Sequence, residues 1–190
     1  APMMQKYNPK WGMGDIIIKD RTGEGVINDE DRTVIGNSIP RFTFGLNLGF
    51  EYKGFDFSCF FQGVGKADGY VTMEAIQPMG INGARKEHYK ESFNPQDPKP
   101  GAYFPRILSS DYNYAYMSHW VQDASYIRLK NLQIGYSFKI KGLNQLRVYA
   151  SGENLFTATK YRTWDPETPV GARGFYPNVA VYSMGVNLNF

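Results

Sequence analysis

Residues 41–65, RFTFGLNLGFEYKGFDFSCFFQGVG, alternate so regularly that they decide the fold. Phe42, Phe44, Leu46, Leu48, Phe50 and Tyr52 share one parity, while Arg41, Thr43, Gly45, Asn47, Gly49 and Glu51 hold the other. Successive side chains of a strand point to opposite faces, so this is a β-strand with one oily face and one small or polar face. A two-residue turn at Lys53-Gly54 would set Tyr52 opposite Phe55, Phe50 opposite Phe57, Leu48 opposite Cys59 and Leu46 opposite Phe61. The oily face then runs unbroken over both strands. A strand from 42 to 52 is roughly 36 Å long, and a tilt near 45° leaves about 26 Å of height, close to the hydrocarbon thickness of a membrane.

Composition agrees with an all-β chain. Aromatic residues make up 16% of the 190, with 13 Phe and 14 Tyr beside 20 Gly, which suits strands with aromatic girdles and tight turns. No apolar run is long enough for a transmembrane helix, but a membrane barrel conceals its hydrophobicity in alternation, so low mean hydropathy does not exclude it. The net charge is +3 and the basic residues are scattered, which argues against a nucleic-acid partner. The lone Cys59 rules out an internal disulfide framework and, on the oily face, reads as a small packed group. The chain opens APMMQKYNPK without a signal-peptide pattern, so a processed chain or a piece of a longer one is expected.

Working outward, strands are expected near 41–52, 55–65, 123–138, 146–156 and 178–190. In the third, Ile127 and Leu129 have one phase and Leu132, Ile134, Tyr136 and Phe138 the other, so all six share a face only if one extra residue sits near Lys130-Asn131. A β-bulge is predicted there. Linkers alternate long and short: 20–40, 53–54, 66–122, 139–145 and 157–177. Outer-membrane barrels place short turns in the periplasm and long loops outside. Five strands are too few to close a barrel, and an open edge in lipid would leave backbone groups unsatisfied, so the strands would belong to a larger barrel. Its lumen would be lined by the polar parity, including Arg41, Asn47, Gln62, Arg147, Tyr149 and Glu153.

Between strands, MEAIQ and ARKEHYKESF have short-helix character, whereas residues 1–13 show no clear period. Tyr70, Tyr103, Tyr112, Tyr114, Tyr116 and Trp120 offer stacking surfaces, with packing of the long loop upon itself the preferred reading for most. DRTGEGVINDED, residues 20–31, sets Asp20, Thr22 and Glu24 at the first, third and fifth positions of a calcium-loop pattern, with the Val26 carbonyl, Asn28 and Asp31 at the seventh, ninth and twelfth. Either Ca2+ or Mg2+ would suit such oxygens. The same residues equally make an acidic loop tied by Asp and Asn turns. For catalysis, His88 and His119 lack HExxH spacing, and no spacing singles out a carboxylate pair from Asp97, Asp111, Asp123 and Asp165. A non-enzyme is expected.

GDIIIKDRTGEGVINDEDRTVIGNSIPRFTFGLNLGFEYKGFDFSCFFQGVG, WVQDASYIRLKNLQIGYSF, RVYASGENLFTATKY, WDPE and the final NLNF together resemble the C-terminal end of SusC/RagA-type TonB-dependent transporters, over residues 12–190. The resemblance implies that residues 1–190 are the last five strands of an outer-membrane barrel of about 22 strands in a Gram-negative bacterium, with long extracellular loops. It implies as partners the rest of the barrel and its plug, membrane lipid, a SusD-like surface lipoprotein, TonB acting through a more N-terminal part, and an oligosaccharide or peptide substrate. No cofactor is required. Phe190 resembles the terminal signal read in barrel assembly. Family members more often carry Asn-Gly-Asp-Gly where this chain has Thr22-Gly23-Glu24-Gly25. The alternative is a secreted β-sandwich ligand-binding module with a calcium loop.

Overall fold

The computed structural model describes residues 2–71, 73–78, 83–98, 100–107, 112–168 and 176–190. Its seven strands in chain order are β1 (Phe42–Tyr52), β2 (Phe55–Gly65), β3 (Asp68–Tyr70), β4 (Val121–Asp123), β5 (Tyr126–Phe138), β6 (Gln145–Thr159) and β7 (Val181–Asn189). Strands β1, β2, β5, β6 and β7 form one antiparallel sheet in that order, and β3 pairs with β4 in a short ribbon. Three short α-helices, Pro2–Tyr7, Met73–Ile76 and Lys86–Glu91, complete the regular structure with single 3-10 turns. Among the described residues no helix is long and apolar enough to cross a membrane. The strand expected from 123 divides into β4 and a β5 that starts at Tyr126, the last strand is shorter at Val181–Asn189, and β6 extends to Thr159. Residues 14–19 form no strand, and residues 2–7, without a readable period, are helical.

Contacts divide the chain into two compact units, one of Ala1–Gly36 with Val71–Val121, the other of Asn37–Tyr70 with Gln122–Phe190. In the second unit the first hairpin has the expected register, Tyr52 against Phe55, Phe50 against Phe57, Leu48 against Cys59 and Leu46 against Phe61. Its turn puts both Lys53 and Gly54 at positive φ, 47° and 88°, the backbone of a two-residue turn whose twist matches that of the strands. The bulge also falls where parity predicts it. Phe60 pairs with Asn131 but Phe61 with Leu129, so Lys130 is the extra residue, and the β5–β6 ladder shifts at the same place. Tyr126, Arg128 and Lys130 therefore share a face with Asn131 and Gln133, while Leu129 stays with Leu132 on the other.

The oily face continues across all five strands through pairs such as Ile134 with Ala150 and Val148 with Val186, and it is exposed: Leu46 and Leu48 are each 49% accessible and Met184 91%. A β-sandwich needs a second sheet on that face, and among the described residues none packs there. Cys59, paired with Leu48 and Leu132, is buried.

The first unit has a small core of its own around Trp120, Tyr114, Met4, Val71, Ile76, His88 and Asn113, all nearly inaccessible. Trp120 stacks on Tyr114 and meets Phe104 and His119, its indole N–H donating to the Asn113 carbonyl at 2.9 Å. Of the loop aromatics, Tyr114 and Trp120 thus pack inward, and the Tyr112 hydroxyl donates to the Ile16 carbonyl at 2.8 Å, whereas Tyr116 is exposed. Burial pushes the Tyr114 phenol up to about 12. Asp15 organises the entry to this core. Arg106 donates to both its oxygens at 2.7 and 2.6 Å, Asn113 at 2.9 Å and the Gly12 amide at 2.9 Å. Burial alone would raise the Asp15 carboxyl, but these donors outweigh it and hold the group below its ordinary value.

His88 accepts from the Arg85 amide at Nδ1, 3.1 Å, and faces the Ala75 carbonyl with Nε2 at 3.2 Å, a pairing that the neutral ring satisfies. Burial lowers its pKa below the usual 6.5, outweighing the Ala75 contact, so the neutral ring stabilises the folded unit above about pH 6.5 and that contribution is lost as pH falls through the lowered folded value. Limited proteolysis of the full-length protein should accordingly show more cleavage within residues 71–121 at pH 5 than at pH 7.5. In His88→Gln the pH difference should shrink; an undiminished difference would assign it to other groups.

Candidate functional site

The polar face of the five-stranded sheet carries the chemistry. At the Tyr126 end of β5, a turn from the loop after β6 is clamped to it. Asp165-Pro166-Glu167-Thr168 is a tight turn in which the Thr168 amide donates to the Asp165 carbonyl at 2.9 Å, and the Glu167 amide to Asp165 Oδ1 at 2.9 Å. Pro166 supplies the fixed φ that such a turn wants at its second position, and Asp165 the side-chain acceptor. Both carboxylates meet β5. Arg128 Nη2 donates to Asp165 Oδ1 and Oδ2 at 2.8 Å each, and Nη1 to Glu167 Oε2 at 2.8 Å. Lys130 Nζ reaches Glu167 at 2.8 Å, the Tyr126 hydroxyl donates to Glu167 Oε1 at 2.9 Å, and Asn178 adds a donor.

The Arg128 side chain is only 2% accessible. Its desolvation is offset by two carboxylates and charge-assisted hydrogen bonds, although its Nε stays buried without a partner. Glu167 would be raised by burial, yet the hydrogen bonds from Lys130 and Tyr126 and the charges of Arg128 and Lys130 hold it below the ordinary Glu value. Two cations and two carboxylates balance, so the cluster is a neutral clamp and offers no free nucleophile or base.

Toward the Lys53-Gly54 turn, the same face carries a second ion pair. Arg147 on β6 binds Asp56 on β2 through Nε and Nη2, reaching across the intervening β5 at Gly135. A Cβ at Gly135 would collide with the Asp56 carboxylate, so the glycine makes the crossing possible. Tyr149 likewise lies over Gly185 of β7, and Phe60 over Gly45 of β1. Asn47, Gln62, Arg147, Tyr149 and Glu153 all have the polar parity, opposite Phe60, Gly45, Ser137, Gly135 and Asn131 respectively. Arg41 precedes β1, its amide donating to the Lys66 carbonyl at 3.4 Å. Phe190 ends the chain with an exposed ring, its carbonyl accepting from Asn144.

In the 20–31 loop the two aspartates serve the loop's own backbone. Asp31 Oδ1 accepts from the Arg21 and Thr22 amides at 2.6 and 3.2 Å, and Oδ2 from the Asn28 amide at 3.0 Å. Asp20 accepts from the Gly23 and Gly25 amides at 2.6 and 2.7 Å, and Asn28 Oδ1 from the Glu30 amide at 2.7 Å. The amides of Asn28, Arg21 and Thr22 hold the Asp31 carboxyl below its ordinary value. Glu24 and Val26 are exposed. Among the described residues no group of three His, Cys, Asp or Glu side chains is placed to hold a metal ion.

Sequence reasoning named Asp165 only as a possible member of a carboxylate pair; its carboxylate is taken up by Arg128. Asp111 lies outside the described residues. Arg128, Lys130 and Glu167 were not singled out. The available signal was two cations two apart on the polar parity of a strand, followed by Asp-Pro-Glu.

The chain is 34% identical to TonB-dependent receptor P3 of Formosa agariphila over 93% of its own length, and 27% identical to the TonB-dependent receptor SusC of Bacteroides thetaiotaomicron over 90%. Over most of its length it is similar to part of these TonB-dependent receptors. The chain also matches the solved RagAB peptide importer in its open-open state, with a TM-score of 0.64 and 25% identity over 82% of the chain. The chain spans 19% of the length of the P3 receptor, 17% of that of SusC and 18% of the matched importer chain. No protein-family model matches the sequence. These relatives bear receptor and importer names rather than enzyme names.

Proposed function

We propose that this chain is part of the wall of an outer-membrane importer of the SusC type, a β-barrel of about 22 strands in a Gram-negative bacterium. The observation that carries the reading is the exposed oily face running unbroken over five antiparallel strands, backed by a polar face of ion pairs. Water disfavours so large a contiguous apolar surface, whereas lipid accepts it. The strands β1 and β7 are the edges of the sheet, and further strands of the same barrel would pair with them. Asn47, Gln62, Arg147, Tyr149 and Glu153, with Arg41, would then face the lumen and plug, and the clamp at Arg128 would fix the loop after β6 at the outer mouth. Phe190 would serve as the assembly signal.

On this reading the full-length protein takes up oligosaccharides or peptides with energy delivered by TonB and with a SusD-like lipoprotein at the surface; the RagAB importer of similar fold takes peptides. No cofactor is needed for that role. The test is fractionation and uptake. Full-length protein should sediment with the outer membrane as a heat-modifiable band, and its deletion should abolish TonB-dependent growth on at least one oligosaccharide or peptide source. A soluble protein, or unchanged growth on all of them, would reject the proposal.

A further inference from the structure

On the polar side of the second unit lies a cavity of about 380 Å³, within the size range of small-ligand sites. Gln62 of β2, Asp68 and Gly69 of β3, Tyr126 of β5, Tyr161, and Glu167 and Thr168 of the clamped turn all line it. Tyr161 packs against Gly69 so closely that a Cβ there would stand 2.7 Å from its ring, which fixes the phenol as a wall. The clamp holds the opposite side, because Pro166, Glu167 and Thr168 are anchored through Arg128 and Asp165.

The charge of the lining is one-sided. Among the described residues its ionisable side chains other than the two phenols are Asp68 and Glu167, and none of the described lining is Lys or Arg. Glu167 is already matched by Arg128 and Lys130. Among the described residues Asp68 accepts a hydrogen bond from the Asn37 amide to Oδ2 at 2.9 Å. Thr168 Oγ1, part of the same lining, is buried with no hydrogen-bond partner. An ammonium brings three donors and a charge, and a guanidinium five donors, to a site that offers a carboxylate, hydroxyl oxygens and phenol faces. A neutral sugar hydroxyl gains nothing from the charge.

We propose that this cavity is a subsite for an ammonium or guanidinium group on the imported ligand, with Asp68 as its counter-charge and Tyr126 and Tyr161 as its walls. The inference rests on the transport reading above and selects basic peptides within it.

The test uses the full-length receptor in detergent and three labelled probes: a pentapeptide with two lysines, the same peptide with glutamates in their place, and a neutral glucan oligomer. Asp68→Asn should weaken the lysine peptide about fivefold, the scale of a partly exposed ion pair, and leave the other two unchanged. Asp68→Glu, which keeps the charge, should retain most of the preference, and heat-modifiability confirms that both variants assemble. Equal weakening of all three probes, an unaltered lysine peptide in Asp68→Asn, or no binding of it to the parent receptor would overturn the inference. If receptor-dependent uptake of the glucan is seen with no lysine-peptide binding, the subsite falls and transport stands. If no uptake depends on the receptor, the transport reading falls and takes the subsite with it.

Discussion

Replacing Arg128 with methionine in the full-length receptor should destabilise it by about 3–5 kcal/mol, because Asp165 and Glu167 would stay partly buried without their shared cation. Urea unfolding in detergent micelles, read at the folded-band mobility shift, measures it. Lys130→Met should cost about 1 kcal/mol or less, since Lys130 is 24% accessible and Glu167 would keep Arg128, Tyr126 and Asn178. Replacing Arg128, Asp165 and Glu167 together with apolar residues of similar size should recover most of the loss, as breaking an ion pair costs more than removing it whole. Equal costs for Arg128→Met and Lys130→Met would show that burial does not set the strength of the clamp.

A lysine at Leu48 should block assembly of the barrel, at about 2–4 kcal/mol for a cation near the bilayer midplane, whereas Asn47→Lys should assemble normally. The two positions are adjacent in β1 and differ only in the face they present. Leu46→Lys should behave as Leu48→Lys does. Accumulation of the heat-modifiable form in outer-membrane fractions reports all three. Similar assembly of Leu48→Lys and Asn47→Lys would remove lipid from the oily side of the sheet.

The first hairpin was fully legible because a side-chain period of two, joined to a two-residue turn, leaves a single register that keeps Leu46, Leu48, Phe57 and Phe61 together. The bulge at Lys130 was legible for the same reason, since the phase of Ile127 and Leu129 against Leu132 and Ile134 admits no other repair. The clamp was not. Arg128 and Asp165 lie 37 residues apart, and neither a strand cation nor a loop carboxylate announces its partner. The tying of the 20–31 loop by Asp20 and Asp31 was legible as an Asp-turn reading, but which amides each takes was not, because backbone amides are common to every sequence. The gathering of residues 1–36 with 71–121 around Trp120 and His88 had no local signal, as the first hairpin separates them in the chain.

By itself, then, the amino-acid order determined the strands, their parity, the tight turn and the bulge, all consequences of near-neighbour geometry in an extended backbone. Tertiary structure alone decided that Arg128 is buried between two carboxylates, that Gly135 gives way to an ion pair crossing its strand, and that Asp68 faces a cavity whose described lining holds no Lys or Arg. Those outcomes depend on which charges are brought together out of water, and desolvation and Coulomb attraction act on distance in space, which the spacing of residues along the chain does not specify.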